Sequence, residues 1–498
     1  MKLKQILVGL ENLKVKGDLD IEISGIENNS KNVKQGYLFV AIQGFSTDGH
    51  QYVENAIENG AVAIMIQEGC NLKGVNIPDS VTVVMAKDTR EGLAIVSDNF
   101  YDHPSRKFKL IGVTGTKGKT TTTFMIKEIF EKAGKKVGLI GTIAIYINGK
   151  KIKDSDRTTP ESLELQQTFD EMVKQGVEVV VMEVSSQSLK LNRVEGCNFD
   201  IVVFTNFSED HISPKEHPDM EDYFNSKLKL FKMCKTGITN ADDLHGAKIP
   251  RLFPDSNITT YGIDNYANLL AKDITITNSY VDFKVKLKDK NERVKTGIPG
   301  RFSVYNSLAA ICVAQKFGIA PEPIKEALAE VRVPGRSELV DNKREIPIMI
   351  DYAHSPESLE NILQATKSYT RGKVISVFGC GGDRDAGKRP IMGEISGRIA
   401  DFTIITSDNP RTEDPKKIVD QIEEGMKKTN GKYEVIVDRT EAIKEAIKMA
   451  TKRDIVILAG KGHEPYQEIN GEKYPFDERV IVRDIIEELE NETKNKKK

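Results

Sequence analysis

Cysteine is scarce in this chain of 498 residues, and the five present (Cys70, Cys197, Cys234, Cys312 and Cys380) are scattered. The number is odd and no pair has CxxC spacing, which argues against a disulfide framework or a zinc site and fits a reducing compartment. No apolar run approaches the roughly 18 residues that a membrane-spanning helix requires. The apolar stretch within the opening MKLKQILVGLENLK is too short for a signal-peptide core. A cytoplasmic protein without membrane insertion is expected. Charge of either sign is also nearly absent as an excess: 72 Lys and Arg stand against 74 Asp and Glu, for a net −2. No global field therefore draws the chain to nucleic acid or to an anionic membrane. Internal repeats and low-complexity segments are missing as well. The tail NETKNKKK (491–498) reads as a frayed, solvated end.

What is there is an ordinary globular balance, 39% hydrophobic and 29% charged. At roughly 100–200 residues per domain, the length predicts about three domains. Residues 1–100 read as a small α/β unit, with strands in YLFVAI (37–42) and AVAIMI (61–66) around a helical VENAIENG. Residues 101–331 open with KLIGVTG (109–115), a helical pattern from Lys119 to Ala133 and the strand KVGLIGT (136–142), a βαβ unit of a parallel sheet. IYINGKKI (145–152) centres on Asn-Gly and predicts a hairpin. EVVVMEV (178–184) and DIVVFTN (200–206) read as buried strands. Residues 255–298 alternate apolar and polar and predict antiparallel strands at the margin of this part, and YNSLAAICVAQKFG (305–318) predicts an amphipathic helix. RVPGR (332–336) has the composition of a linker. In 332–498 the runs IPIMIDYA, KVISVFG, FTIITSD, YEVIVD and DIVILAG alternate with helical stretches, which predicts a doubly wound α/β domain.

The sharpest local signal is Gly115-Thr116-Lys117-Gly118-Lys119-Thr120-Thr121, set between a strand and a helix. Glycines let backbone N–H groups turn toward phosphate, and the helix N-terminus adds positive potential. Lys119 would reach the β/γ-phosphates of ATP and Thr120 would bind Mg²⁺. The full pattern wants glycine five residues before Gly118, where Val113 stands, so the loop is a shortened phosphate-binding variant. Glu183, in MEVSSQ, and His211, in TNFSEDH, each lie at or just past a strand end. Ligands of parallel sheets gather at the carboxyl ends of the strands, so Thr120, Glu183 and His211 would converge on metal and phosphate.

GTKGKTT, EVSS, FTNFSEDH, YFNSKLKLF (223–231), IPGRFSVYNSLAA (298–310), VPGRSE, DYAHSP (351–356) and GCGGDRDAGKRP (379–390) follow one another in the order found in the Mur ligases. These are the cytoplasmic amide ligases of peptidoglycan precursor synthesis, and the resemblance spans nearly the whole chain. It implies three domains: a small α/β UDP-sugar-binding domain, a central ATP-binding parallel-sheet domain and a C-terminal Rossmann-like domain that holds the amino acid. It implies an ATP- and Mg²⁺-dependent ligase working through an acyl phosphate, active as a monomer. Lys227 in YFNSK matches the lysine that members carry as a carbamate. That modification turns a cation into an anionic oxygen ligand suited to Mg²⁺. Glu183, His211 and carbamylated Lys227 would hold the metal, with Lys119, His211 and Lys227 as catalytic residues. Asn306, Arg336, Asp351 and His354 match ATP-handling positions, and domain closure would complete that site.

DNPR, as Asp408-Asn409-Pro410-Arg411, resembles the signature of the branch that adds meso-diaminopimelate. A guanidinium can grip the extra carboxylate of that substrate in a two-point fork, and lysine offers no such group. Arg384, Gly460 and Glu464 match the other residues that hold diaminopimelate, with Glu464 toward the distal ammonium. The acceptor implied is UDP-MurNAc-L-Ala-D-Glu. Ser30 and the loop carrying Asp48, Gly49 and His50 resemble the UDP-binding segments, and Thr158, Thr159, Ser185 and Arg193 match contacts to the sugar-peptide. The chain departs from the usual pattern at Asn29 and Lys31, at Arg157 (usually Asn), at Gln187 (usually His) and at Ile212-Ser213 (usually Leu-Asp). Two neighbouring enzyme readings stay open: the same ligase with L-lysine, another diamino acid or an altered acceptor, and a folylpolyglutamate-synthase-like ligase. A non-catalytic nucleotide switch is the reading from another class.

Overall fold

The structure, a computed structural model, describes the chain except Ser46, Lys73, His211, Pro214, Lys215 and residues 496–498, and describes 493–495 by backbone alone. The chain divides into two compact units, Met1–Leu269 with Ala309–Pro323, and Leu270–Leu308 with Ile324–Lys498.

In the first unit, one sheet runs in the order Lys14–Lys16, Thr82–Ala86, Ala61–Gln67, Tyr37–Val40, Gly25–Glu27. Its inner strands are parallel. Leu38 and Val40 pack into one core with Leu93 and Val96, while Phe39 packs into another with Val53 and Ala56. Burial on both faces is why YLFVAI is continuously apolar rather than alternating.

The second sheet of this unit places Asn257–Gly262, Thr236–Asn240, Ile201–Phe204, Lys109–Thr114, Val179–Glu183, Val137–Ile140, Ala144–Ile147 and Lys150–Asp154 side by side. The predicted hairpin is present. Ala144–Ile147 pairs antiparallel with Lys150–Asp154, and Asn148 and Gly149, at φ 51° and 79°, supply the two left-handed residues of a tight turn. Asn257–Gly262 departs from the expectation of antiparallel strands. It pairs in parallel with Thr236–Asn240, because the helical turn Ile249–Leu252 lies between the two strands and makes the connection a crossover rather than a hairpin.

In the second unit the antiparallel expectation holds. Lys272–Ile276, Val281–Leu287 and Lys290–Thr296 form a meander, and the middle strand alternates buried and exposed positions. The other main sheet runs Glu338–Leu339, Ile348–Asp351, Ile455–Ala459, Val374–Phe378, Phe402–Ile405, Tyr433–Val435, parallel except for its first member. Ile348 and Ile350 pack on one face and Met349 on the other, again two buried faces.

Two further expectations need correction. The helix Arg301–Lys316 is not amphipathic along its length: Val304 and Leu308 through Ala314 are all buried, as are the polar Ser303, Asn306 and Ser307. Small side chains there allow close packing all round. The end of the chain is not frayed through 491–495, since the helix Glu478–Asn495 continues to Asn495. Among the described residues no helix is long and apolar enough to cross a membrane.

Arg439 and Glu478, each the first residue of its helix, form a buried ion pair at 2.8 Å. The same guanidinium donates to the carbonyls of Ala459 (2.9 Å) and Ser407 (3.3 Å), at the ends of two neighbouring chain segments. Arg439→Ala leaves Glu478 buried without its cation and is expected to cost about 3–5 kcal/mol. Urea unfolding of the intact chain checks this, and the paired change Arg439→Met with Glu478→Leu should cost much less.

Candidate active site

Strand Lys109–Thr114 lies between Val179–Glu183 and Ile201–Phe204, with Val113 opposite Glu183 and Thr114 opposite Phe204. Three strand ends therefore deliver Gly115, Glu183 and Thr205 to one edge of the sheet. Gly115 and Gly118 take φ of 140° and 83°, values that side chains rarely adopt. A Cβ on Gly115 would run into the Thr205 hydroxyl. The loop is braced from the neighbouring strand end: Lys117 N donates to Asn206 Oδ1 at 2.9 Å, and Asn206 Nδ2 returns a bond to Lys117 O at 3.0 Å. Helix Lys119–Lys132 begins directly after the loop, with Thr120 and Thr121 buried in its first turn.

Two lysines meet on one carbonyl. Lys119 Nζ donates to Gly115 O at 2.9 Å and to Thr116 O at 2.8 Å, and Lys227 Nζ donates to the same Gly115 O at 2.9 Å. Lys227 is buried on helix Met220–Lys232, its ammonium 4.2 Å from the centre of the Tyr223 ring. Burial, and then the charge of Lys119, push the Lys227 amine well below the ordinary lysine value. A neutral amine is the form that adds CO₂, so this position suits carbamate formation.

Glu183, also buried, accepts from the Thr120 hydroxyl at 3.0 Å, from Thr142 N at 2.8 Å and from the Thr142 hydroxyl at 3.1 Å. A buried carboxylate and a threonine hydroxyl side by side, with a second carboxylate available at Lys227 by carbamylation, form a hard-oxygen donor set that fits Mg²⁺. His211 lies outside the described residues.

The same strand end carries the sugar-peptide candidates. Thr158 Oγ1 is 3.0 Å from Thr142 Oγ1, and the Thr159 hydroxyl donates to Glu183 O at 2.9 Å and accepts from Ser185 N at 3.1 Å. Ser185 caps the short helix Ser186–Lys190. Arg193 donates to Thr159 O at 3.2 Å and pairs with Glu161 at 2.9 Å, and Arg157 pairs with Glu161 at 2.7 Å. In the first sheet's loops, Asp48 Oδ1 accepts from His50 N and lies 2.6 Å from His50 Nδ1, while His50 Nε2 accepts from Gln67 N at 2.9 Å. Both nitrogens of the buried His50 are thus committed to holding the loop, and Gly49 N donates to Ile42 O at 2.9 Å. Ser30 is buried at the start of a 3₁₀ turn, and its carbonyl accepts from Asn59.

In the second unit the candidates form two adjoining groups, joined where Gly460 N donates to Asp351 O at 3.0 Å. Arg336 lies 4.9 Å from the Tyr352 ring, which also meets the His354 ring at 4.5 Å. Asp351 accepts from Ser337 N at 2.7 Å. The Arg336 Nε is buried and has no hydrogen bond among the described residues. Asn306 is buried on its helix, away from this group in sequence.

The other group gathers where two strand ends meet. Asp408 and Asn409 follow Phe402–Ile405, and Gly460 follows Ile455–Ala459; a Cβ on Gly460 would strike the Asp408 carboxylate. Asn409 is the hub. Its Nδ2 donates to Glu464 Oε2 at 2.7 Å, and its Oδ1 accepts from Lys461 Nζ at 2.9 Å and Glu468 N at 3.0 Å. Burial pushes the Glu464 carboxyl up, against the Asn409 hydrogen bond, and burial pushes the Lys461 amine down, against Asp408. Arg411, at φ 51°, donates from Nε to Glu468 at 3.1 Å and from Nη1 to Gly382 O at 2.8 Å. Arg384 is exposed, and its Cγ and the Arg411 guanidinium both border Gly381. Pro410 is buried between Asn409 and Arg411.

Sequence reading passed over Thr142, Asn206, Tyr223, Glu161, Lys461 and Glu468. Thr142 lies two residues beyond strand Val137–Ile140 and obeys the same strand-end rule as Glu183, so a signal existed. Glu468 carried none: it lies in the hairpin Tyr466–Ile469 with Glu472–Pro475, and only folding brings it to Arg411.

Three family models match in succession: the Mur ligase family catalytic domain over 22–106, the Mur ligase middle domain over 113–314 and the Mur ligase glutamate ligase domain over 335–462. The chain belongs to the Mur ligase family, with that family's three-domain α/β architecture. Within it, the chain is 49% identical to the UDP-N-acetylmuramoyl-L-alanyl-D-glutamate–2,6-diaminopimelate ligase of Caldanaerobacter subterraneus subsp. tengcongensis, over 98% of this chain and all of that protein. It is 45% identical to the enzyme of the same name from Clostridium tetani, over 98% and 100%. A solved structure of a ligase so named superimposes with a TM-score of 0.73 at 29% identity, covering 98% of this chain and 99% of the other.

Gly115→Ala is expected to weaken ATP binding at least about tenfold, about 1.4 kcal/mol, as read by calorimetry. Gly134→Ala, also at positive φ but with nothing near its added methyl, serves as the control and should bind ATP as the parent does.

Proposed function

We propose that this chain joins the γ-carboxylate of the D-Glu in UDP-MurNAc-L-Ala-D-Glu to an amine of meso-2,6-diaminopimelate, at the cost of one ATP. The observation that carries the reading is the convergence of Lys119, Lys227, Thr120 and Glu183 on the loop after strand Lys109–Thr114. In the bound state the phosphates lie against the N–H groups of 115–121, and the Lys119 ammonium moves from the loop carbonyls to the β/γ-phosphates. Thr120, Glu183, His211 and carbamylated Lys227 would hold Mg²⁺, which offsets the charge of the phosphates and of the incoming carboxylate. Thr158, Thr159, Ser185 and Arg193 orient the acceptor next to Glu183, while Ser30, Asp48, Gly49 and His50 shape the UDP end. Asn306, Arg336, Asp351 and His354 serve the nucleotide.

The acceptor carboxylate oxygen attacks the γ-phosphorus, the bond to the β-phosphate oxygen breaks, and ADP leaves an acyl phosphate. The amine then attacks the acyl carbon, and the tetrahedral intermediate collapses with loss of phosphate. The residues act by positioning and by offsetting charge that develops in the transition state. Arg411 and Arg384 face the distal carboxylate of diaminopimelate, Glu464 takes its distal ammonium, and Asp408, Asn409, Pro410 and Gly460 fix their geometry. The reading places the enzyme in the cytoplasm as a monomer.

Phosphate release with the acceptor and ATP should require meso-diaminopimelate and fail with L-lysine; release with lysine alone would overturn the amino-acid assignment. Lys227→Ala should lower turnover by several orders of magnitude and recover in part with small carboxylates, whereas parent-like turnover without them would overturn the carbamate. Because burial raises the Glu464 pKa, its carboxylate is lost as pH falls through that raised value. The KM for diaminopimelate should therefore climb on acidification, and Glu464→Gln should flatten the profile at a high KM.

A further inference from the structure

His217 is fully buried beside the metal-site candidates, and none of the chemistry above uses it. Its Nδ1 lies 2.6 Å from Asp222 Oδ2, and its Nε2 lies 2.9 Å from the Ser186 hydroxyl. Asp222 also accepts from Lys190 Nζ at 2.8 Å, and that ammonium donates to Glu216 O at 3.0 Å. The carboxylate can only accept, so Nδ1 carries the proton and Nε2 accepts from the serine. Burial first, then the charge of Lys190, hold the imidazole below its ordinary pKa despite Asp222, which keeps this neutral tautomer.

The order serine, histidine, aspartate has the outline of a nucleophile and its base. Ser186 is itself buried, however, and its hydroxyl is spent on the ring inside the protein. What the triad does accomplish is mechanical. Ser186 stands three residues beyond Glu183, at the start of helix Ser186–Lys190. Asp222 lies in the first turn of helix Met220–Lys232, five residues before Lys227. The imidazole also lies 5.0 Å from the ring of Tyr223, whose hydroxyl donates to Thr116 Oγ1 at 3.2 Å and whose face supports the Lys227 amine. One ring thus ties the strand end bearing Glu183, the helix bearing Lys227 and, through Tyr223, the phosphate loop.

We propose that His217 is a positioning residue that sets the separation of the Glu183 carboxylate and the Lys227 side chain, through hydrogen bonds to Ser186 and Asp222. This rests on the reading of Glu183 and Lys227 as metal-site residues. Loss of either bond lets the helix and the strand end move independently, which loosens both the metal site and the shelter of the carbamate.

The test compares the full-length protein with Ser186→Ala, Ser186→Thr and His217→Asn. The last variant keeps a donor toward Asp222 but gives up the bond to Ser186. Carbamate is read by ¹³C NMR in ¹³C-bicarbonate, Mg²⁺ dependence by half-saturation of ATP binding, and folding by thermal unfolding. In Ser186→Ala and His217→Asn the Mg²⁺ concentration at half-saturation should rise about tenfold or more, the carbamate signal should fall, and the KM for the amino acid should stay put. Ser186→Thr, which retains the hydroxyl, should restore both. Folded variants with parental Mg²⁺ dependence and carbamate would overturn the proposal, as would a loss of thermal stability without either change. A parent chain with no carbamate would overturn the reading of Lys227, and the Mg²⁺ half-saturation alone would then decide the role of His217.

Discussion

The carbonyl oxygen of Gly115 accepts from two lysines, Lys119 and Lys227, and much of the first unit's architecture is arranged to make that possible. Burial first, and then the neighbouring Lys119 ammonium, push the Lys227 amine well below its ordinary value. Lys227 therefore sheds its proton readily, and a neutral amine in a sheltered place is the starting point for a carbamate. The glycine is needed for the same reason: only a residue without a side chain can take φ 140° and let Thr205 pack against it.

Around this point the polar groups are satisfied from neighbouring strand ends rather than by solvent. Glu183 is held by the Thr120 hydroxyl and by the amide and hydroxyl of Thr142, and Thr159 binds its carbonyl. Thr120 opens the helix after the phosphate loop, and Thr142 and Thr159 lie in loops that pack against the end of the Glu183 strand. A parallel sheet gathers such loops at one edge, so residues far apart in the chain become a single donor set. The Ser186, His217 and Asp222 tie extends that bracing to the helix that carries Lys227.

The cluster around Asn409 follows the same logic with different chemistry. Asn409 uses both ends of its amide, donating to Glu464 and accepting from Lys461 and the Glu468 amide, so it fixes a carboxylate and an ammonium at set positions. Arg411 is held by Glu468 and the Gly382 carbonyl. A guanidinium fixed by two bonds presents its remaining edge at low entropic cost. The buried Arg439 and Glu478 pair anchors the carbonyls of Ser407 and Ala459, the residues just before Asp408 and Gly460.

Local chemistry made much of this legible in advance. The glycine pattern of 115–121 needs only its own φ values, the Asn-Gly hairpin needs only its turn, and continuous apolar runs marked strands buried on both faces. The ordered motifs were enough to indicate the family. Where the sequence misled, a neighbour overrode the local pattern: Asn257–Gly262 joined a parallel sheet, and Arg301–Lys316 was covered on nearly every side. The alternation of residues is a property of the segment, but pairing direction and burial belong to what packs against it. Likewise, the sequence by itself determined which residue types the site contains, because the motifs are short and contiguous. Only the tertiary structure decided that Lys227 is buried against Lys119, that Thr142 completes the shell of Glu183 and that His217 bridges two elements. Proximity, desolvation and charge repulsion act through space, and no spacing along the chain encodes them.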